Sequence, residues 1–529
     1  MKKLPVSAQS FVKIITGNYA YIDKTEHIYR LIQNDCCFFA RPRRFGKSLL
    51  CSTLKSLFLG QKELFKGLWI ERESDYDWPV YPVVHIDFLS IPHKTPEELD
   101  AALTRYLAKV ATSYDLPSLA ITTPNEMFGL LVEQLQRKYQ ATVVIIIDEY
   151  DKPILTHLHN MPVAKQIREM LKSFYEVIKG LDEYLRFVFI TGVSRFSQTS
   201  IFSGLNQLLD ISMNPDFAHL VGCTEEELAH VFVEHLGGIA QEKKIPTSVL
   251  INEMRAMYNG YRFWKNVPLR RVNALGDATE KIFNPFSIVN ALHAKSLDNF
   301  WFLSGTPTFL INLLQQHHYP VIALENLKAD LSELSTFDIE HLPLTTLLFQ
   351  TGYLTIKSYD EETKNFTLSY PNNEVKEAFL HNILKLMVHV EHSKINAFTT
   401  KLLSDLAKQN TAEFMQTLKE FYANIPYDLH VAKEKYYQTI FFVLLKLIGV
   451  VIDVEISTNI GRIDAVVETK DYLYIIEFKI NKKASVALEQ IREKQYFERY
   501  LSDQRQIILM GISFDTGLKN IGDFLVEAL

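Results

Sequence analysis

Four apolar runs organise the first part of the chain: CCFFA at 36–40, VVHIDF at 83–88, TVVIIID at 142–148 and LRFVFIT at 185–191. Between them the apolar positions return with a helical period. Runs without polar alternation fit strands buried on both faces, so the pattern predicts a parallel sheet covered by helices. From about Phe217 to Leu342 the period is helical throughout. In CTEEELAHVFVEHL, Thr224 is placed to cap a helix and Glu227 to answer it as a capping box. The stretch LLFQTGYLTIKSYDEETKNFTLSYPNNEV then changes character. It predicts a helix stopping at Gly352, a hairpin over Tyr353–Ser369 with the charged turn Asp360-Glu361-Glu362, and a new helix after Pro371-Asn372. That order is the pattern of a winged helix. Helices follow to about Tyr427, and the last hundred residues read helix, three strands, helix, strand. The expected divisions are an α/β domain over 1–216, a helical lid over 217–340, a winged-helix-like and helical connector over 341–430, and a small α/β domain over 431–529.

Composition narrows the class. The chain has 529 residues, 47% hydrophobic and 22% charged, which suits several folded domains. A formal charge of -6 gives no global attraction to nucleic acid, so any such contact needs a local basic groove. The four cysteines, Cys36, Cys37, Cys51 and Cys223, lack metal-site spacing and suggest a reducing, cytoplasmic compartment. No apolar run of signal-peptide length follows MKKLPVSAQSF. The stretch Ile440–Val454 is broken by Lys446 and Gly449 and is too short to span a membrane.

The first candidate chemistry lies in RPRRFGKSLL, directly after the first apolar run. Gly46-Lys47-Ser48 is the core of a P-loop. Gly46 lets the backbone approach a phosphate, Lys47 neutralises the β/γ oxygens, and Ser48 offers its hydroxyl to Mg²⁺. Arg44, Phe45 and Leu49 complete the cradle, while Arg41 stands where the usual motif has its first glycine. The run Val143–Ile147 ends in Asp148-Glu149, the Walker B arrangement. Asp148 is expected to hold Mg²⁺ through water and Glu149 to polarise the attacking water. At the end of the next strand, in TGVSRFS, the residues Thr191, Ser194 and Arg195 are candidates to sense the γ-phosphate or simply to cap a helix. Arg43, Arg44 and Arg195 read equally as charge stabilisers or as a solvated basic loop. Asp23 and Lys24, in NYAYIDKTE, either flank an adenine or brace the loop.

The second candidate site is in GRIDAVVETKDYLYIIEFKI. Two strands joined by a turn at Lys470-Asp471 put Asp464 opposite Glu477, at a cross-strand spacing of roughly 4.5–5.5 Å. Glu477 and Lys479 alternate onto one face and Phe478 onto the other. Two carboxylates that close repel unless a cation or a proton lies between them, which points to Mg²⁺ or Mn²⁺. Glu434 on the preceding helix, Gln490 and Tyr496 after the strand, and Glu455 on the strand before complete the constellation.

These stretches resemble a bacterial and archaeal family that joins an AAA-ATPase-like N-terminal domain to a C-terminal PD-(D/E)XK nuclease-superfamily domain. The resemblance runs through YIDKTE, RPRRFGKSLL, IIIDEYDKP, TGVSRFS, FSGLNQLLDIS, YNGYRF, NPFSIVNAL, WFLSGTPTFL, LLFQTGYLTI, YPNNEV, GRID, IIEFKI and ALEQI. It implies an α/β multidomain chain: a P-loop NTPase sheet with a helical lid, a winged-helix-like region, and a restriction-endonuclease-like α/β domain. Lys47, Ser48, Asp148 and Glu149 match the ATPase motifs; Asp464, Glu477 and Lys479 match the nuclease motif, with Glu434 and Gln490 on its flanking helices. The expected cofactors are ATP with Mg²⁺, with Mn²⁺ as an alternative at the nuclease site. The expected partners are nucleic acid, DNA foremost, and further copies of the chain, without a membrane. The rival expectation is a binding or signalling ATPase whose nuclease-like domain grips nucleic acid without cutting it.

Overall fold

The computed structural model describes residues 1–117, 123–196, 201–202, 204–205, 207–264, 281–301, 324–335, 343–388, 392–425, 434–448, 451–457 and 462–529. The block WFLSGTPTFL lies mostly outside them. The chain divides into two compact units, one comprising Met1–Gly305 with Glu325–Val375, the other Thr306–Leu324 with Lys376–Leu529.

In the first unit the four apolar runs become strands β1 (Cys36–Ala40), β2 (Val83–Asp87), β3 (Val143–Asp148) and β4 (Leu185–Gly192), joined by a two-residue β5 (Leu209–Asp210). The order is β2-β3-β4-β1-β5, and every pairing is parallel. Burial explains the unalternated pattern: every residue of β1 and of β3 is buried. Each fully buried Val or Ile contributes roughly 1.5–3 kcal/mol against leaving it in water. In such sheets ligands collect at the carboxyl ends of the strands. There β3, β4 and β1 lie side by side, bringing together the ends of TVVIIID, LRFVFIT and CCFFA.

A second core belongs to the helical region. Leu228, Phe232, Leu236, Leu250, Met254, Tyr258, Phe283 and Ile288 pack around Ala20. The helix Glu225–Val231 begins with the expected capping box of Thr224 and Glu227. Glu227 also pairs with the nearly buried Lys24 at 2.6 Å, while Asp23 accepts the Thr25 and Trp69 amides at 2.9 and 2.7 Å. Asp23 and Lys24 thus tie the Thr25–Leu31 helix and the Trp69 segment to the Glu225–Val231 helix.

The hairpin is present as β7 (Thr355–Asp360) and β8 (Asn365–Ser369), after a helix at Leu344–Gln350 and a Gly352 with φ 87°. A short β6 (Leu327–Ala329) pairs with β8, giving the order β6-β8-β7. This sheet therefore draws in residues that the sequence pattern grouped with the preceding helices. The next helix spans Asn373–Val388.

The second unit ends in a mixed sheet, β13-β12-β11-β10-β9, made of β9 (Val451–Ser457), β10 (Arg462–Glu468), β11 (Tyr472–Ile480), β12 (Gln506–Asp515) and β13 (Asn520–Ala528). β11 and β12 are parallel and joined through the helix Ala484–Glu493; the other pairs are antiparallel. The strand β13 is additional to the three-plus-one strands expected. Only Ile521 in it is buried, and its apolar and polar residues do not alternate. Val466, Leu473, Ile475, Leu488, Ile491, Tyr496 and Leu509 form the core between sheet and helix.

Candidate functional site

The chain turns sharply between β1 and the helix Lys47–Phe58. Gly46, at φ 98°, is the residue immediately before that helix, a conformation that glycine adopts without a Cβ penalty. The Lys47 ammonium is buried and donates to the Arg41 and Pro42 carbonyls at 3.1 and 3.2 Å, with Glu149 at 3.7 Å. It thus curls back over the loop, where the phosphates of a nucleotide would offer better acceptors. The loop is clamped by its own side chains. Arg41 is fully buried between the Phe39 and Phe263 rings, at 4.4 and 4.2 Å, and donates to the carbonyls of Ala40 and Ser212. Burial, with Arg195 nearby, pulls its guanidinium down to about 9. Arg44 stacks over Phe286 at 3.8 Å and donates to the Phe300 carbonyl at 3.1 Å. Phe45 packs edge-on against Tyr261 and Phe263. A glycine at 41 would lose the ring stacking and carbonyl bonds of Arg41, so the residue that departs from the usual motif anchors the loop here.

Asp148 ends β3 with one oxygen unpartnered and buried. Burial pushes its carboxyl up to about 6, against a lowering hydrogen bond from Ser48. Glu149 follows with φ 54°, a left-handed conformation that is rare for a residue with a long side chain and recurs at functional sites. Leu49 follows Ser48 on the same helix and is half-buried. Among the polar groups beyond β4, Thr191 donates to the Phe39 carbonyl at 2.6 Å, and Arg195 pairs with Asp210 at 2.7 Å. Both are thus committed within the fold. Ser194 keeps a buried hydroxyl without a partner. Asp151, which the sequence pattern did not single out, holds this loop by accepting the Val193 and Ser194 amides at 3.1 and 2.6 Å. Burial, then the Glu149 charge, raises it to about 6.

In the second unit the β10–β11 register runs Glu468↔Leu473 to Ala465↔Ile476, so the next position outward sets Asp464 against Glu477. The ladder stops there, and the Asp464 carboxylate takes the Phe478 amide at 2.8 Å. Glu477 is buried; its Oε1 accepts Lys479 Nζ at 2.9 Å and also Gln490 Nε2. Its Oε2 is buried without a partner. Burial first, then the Asp464 charge, pushes the carboxyl up to about 7. Lys479 also donates to the Phe478 carbonyl at 3.0 Å, and Tyr496 lies 3.4 Å from Gln490. Phe478 points the other way, against Phe441, Phe442 and Phe514. Those rings seat the helix Glu434–Leu447 on the sheet. The side chain of Glu434, like that of Glu455, lies outside the described residues.

The fold therefore brings Asp464, Glu477, Lys479 and Gln490 to one patch. Two carboxylates beside a backbone carbonyl are the oxygen donor set of Mg²⁺ or Mn²⁺, and the unpartnered Glu477 oxygen fits such an ion. Asp148 and Ser48 fit Mg²⁺ at the P-loop on the same grounds.

A family model of predicted AAA-ATPases matches residues 5–202, and one of the PD-(D/E)XK nuclease superfamily matches 432–524. An uncharacterized protein in the vnfD 5' region of Azotobacter chroococcum mcd 1 is 35% identical over 543 residues, covering 100% of this chain and 99% of that one. The chain belongs to this AAA-ATPase-like, PD-(D/E)XK family. Among solved structures, the Aeropyrum pernix ORC1 protein in complex with DNA aligns at TM-score 0.26 and 10% identity, over 70% of this chain and 97% of that one. The Aeropyrum pernix ORC2 protein, in ADPNP–ADP complexes, gives 0.26 and 12% over 66% and 88%. Scores this low carry no argument. Among the described residues no helix is long and apolar enough to cross a membrane.

One position of the C-terminal patch escapes motif reading altogether. Gly511 on β12 sits opposite Glu477, and a Cβ there would lie 2.5 Å from the Ala484 carbonyl and 2.9 Å from the Leu488 amide. Its bareness lets the Ala484–Glu493 helix seat close enough for Gln490 to reach Glu477. Neither motif spacing nor apolar periodicity marks it.

Proposed function

We propose that the chain is an ATP-hydrolysing switch coupled to a divalent-metal-dependent nuclease acting on nucleic acid, DNA foremost. The observation that carries the nuclease half is Glu477: a buried carboxylate with one unpartnered oxygen, held beside Asp464, Lys479 and Gln490. When bound, Mg²⁺ or Mn²⁺ supplies a polarised water and shields the scissile phosphate. Lys479 then leaves Glu477 to orient that water or to meet the charge developing on the phosphate. Gln490 fixes the Glu477 carboxylate, and the Glu434–Leu447 helix backs β11 through Phe478 from the other face.

In the ATPase half, Lys47 exchanges its loop carbonyls for β/γ-phosphate oxygens, and Ser48 and Asp148 hold Mg²⁺. Glu149 orients the attacking water, and the Ser194 hydroxyl is the group at the β4 end left to meet the γ-phosphate. The hairpin with its helix, read as a wing, carries Asp360-Glu361-Glu362 at its tip, which repels phosphates and suits a protein contact. Copies of the chain assembling on ATP would complete the basic groove that a net charge of -6 does not provide.

A second reading rests on the committed state of the C-terminal groups. Lys479 and Gln490 both already engage Glu477 Oε1, as in a module that grips nucleic acid and does not cut it. The deciding experiment incubates the purified chain with Mg²⁺ or Mn²⁺ and plasmid, linear and single-stranded DNA, and RNA, each with and without ATP. Cleavage above an Asp464→Ala control is expected. Its absence for every substrate replaces the nuclease by the gripping module.

A further inference from the structure

Ser48 and Cys51 stand three residues apart on the Lys47–Phe58 helix and so share a face. The strands under that helix pair His85↔Ile146 and Asp87↔Asp148, which puts His85 and Asp148 on one face of the sheet. The result is a cluster in which Cys51 Sγ, a His85 ring nitrogen and an Asp148 oxygen all lie within 4.8 Å of one another. Cys51 is fully buried. His85 Nε2 and Asp148 Oδ1 are both buried without a hydrogen-bond partner. A buried polar atom left unpaired costs about 1–3 kcal/mol, and here both residues that carry one stand in the cluster with the same thiol.

We propose that Cys51, His85 and Asp148 form a site for a soft divalent cation of the zinc type, buried behind the P-loop, and that its occupancy withholds Asp148 from magnesium-bound nucleotide. The second clause rests on the nucleotide reading above; the first does not.

The donor set decides the class of ion. Thiolate, imidazole and carboxylate are the zinc ligands, whereas Mg²⁺ takes oxygen alone and would leave the sulfur and nitrogen unused. Charge balances as well: a dication against one thiolate, one carboxylate and a neutral imidazole sums to zero, the condition under which burial is tolerable. Binding breaks the Cys51 S–H bond, forms the metal–sulfur bond and releases one proton to solvent, with no change of oxidation state. Coordination also gives both unpartnered atoms a partner. Zinc and magnesium would then compete for the same carboxylate, from opposite sides: Ser48 on the nucleotide side, Cys51 one turn deeper.

The full chain, stripped with a chelator and without nucleotide, is titrated with Co²⁺ as a spectroscopic stand-in. One Co²⁺ per chain with a thiolate-to-cobalt absorption band is expected, and Zn²⁺ should abolish the band. An oxygen-only ion at the C-terminal carboxylates gives no such band. Cys51→Ser should lose it, and His85→Gln should weaken Co²⁺ binding by more than about tenfold, the low end for metal-site partners. No thiolate band in the parental chain, or an equal band in Cys51→Ser, overturns the site. Should Cys51→Ser fail to fold by circular dichroism, unchanged Co²⁺ affinity in His85→Gln overturns it instead. In the functional arm, Zn²⁺ should inhibit Mg²⁺-ATP hydrolysis in the parental chain, with Cys51→Ser at least about tenfold less sensitive. A cobalt band with Zn²⁺-insensitive hydrolysis overturns the competition. A cobalt band in a chain that neither binds nor hydrolyses ATP overturns the nucleotide reading and upholds the metal site.

Discussion

Protons and Mn²⁺ should compete directly for Glu477. Its carboxyl is pushed from the usual 4.5 to about 7, by burial and then by Asp464, and a cation at its unpartnered oxygen requires the ionised form. Above that value the site is open to metal; below it, each bound ion must first displace a proton. The apparent Mn²⁺ affinity should therefore fall roughly tenfold per pH unit below about pH 7, or about two decades between pH 8 and pH 5, equal to ~2.7 kcal/mol. Proton release should follow the same curve, close to one per ion near about pH 6 and about 0.1 near pH 8. Titration calorimetry in two buffers of different ionisation enthalpy reads both quantities. An Asp148→Asn background removes the P-loop carboxylate from the measurement. The stability sign is fixed by the same shift. The folded value lies above the unfolded one, so the protonated group's contribution is complete below about pH 4.5 and is lost as pH rises through about 7. That loss, up to ~3 kcal/mol in metal-free protein, should be recovered by Mn²⁺ at pH 8. An Mn²⁺ affinity independent of pH, or proton release that survives Glu477→Gln, would refute the reasoning.

The remaining predictions separate roles within each site. Lys47→Ala should abolish ATP hydrolysis and weaken nucleotide binding, while Glu149→Gln should bind ATP and stop turnover. Filter binding beside a phosphate-release assay tells them apart, and equal loss of binding in both would contradict the separate roles. Gly511→Val should push the Ala484–Glu493 helix off β12, because even its Cβ would meet the Ala484 carbonyl at 2.5 Å. Cleavage should drop by on the order of 100-fold, the scale of a misplacement of about 1 Å, with ATP hydrolysis retained; undiminished cleavage would show that Gln490 does not need this seating.

What could be read from the sequence follows from how locally each feature is encoded. The strands β1, β3, β4 and β11 announce themselves because their middles are buried on both faces. Their shortness, and in β3, β4 and β11 their β-branched content, set them apart from the equally apolar helical run at 440–445. The P-loop glycine, the Thr224 capping box and the hairpin are likewise short-range. Asp464 and Glu477 were placed opposite each other by counting from one turn, since an antiparallel register is fixed by its loop. Asp151, Gly511 and the Cys51–His85 pair were not legible, because each acquires its meaning from a partner on another element. Thr191 and Arg195 show the converse. Their positions suggest phosphate sensing, yet Phe39 on another strand and Asp210 beyond the next loop already engage them. The strand β13 is hard to read because only Ile521 in it is buried, and its apolar residues, with Phe524, Leu525 and Val526 consecutive, follow no period-2 alternation.

Raised carboxyl values alone would not have found these sites. Glu374 is also buried and also pushed up to about 7, chiefly by desolvation. Its oxygens, however, are taken: Oε1 by the Phe300 and Trp301 amides, each at 2.8 Å, and Oε2 by the Ser287 hydroxyl at 2.8 Å. Such a group is a brace, holding NPFS and the Phe300 segment beside Arg44. Among the described residues, the buried carboxylates with an oxygen that no donor reaches are Asp148, Asp151 and Glu477. Two of these flank Glu149 at the P-loop and the third lies in the PD-(D/E)XK patch. A fold that leaves a buried carboxylate oxygen unpaired gives up about 1–3 kcal/mol each time, and at Asp148 and Glu477 it does so where motif chemistry independently asks for a cation. Burial raises all of these acids; the unpaired oxygen is what sets Asp148 and Glu477 apart from Glu374, whose two oxygens are both engaged.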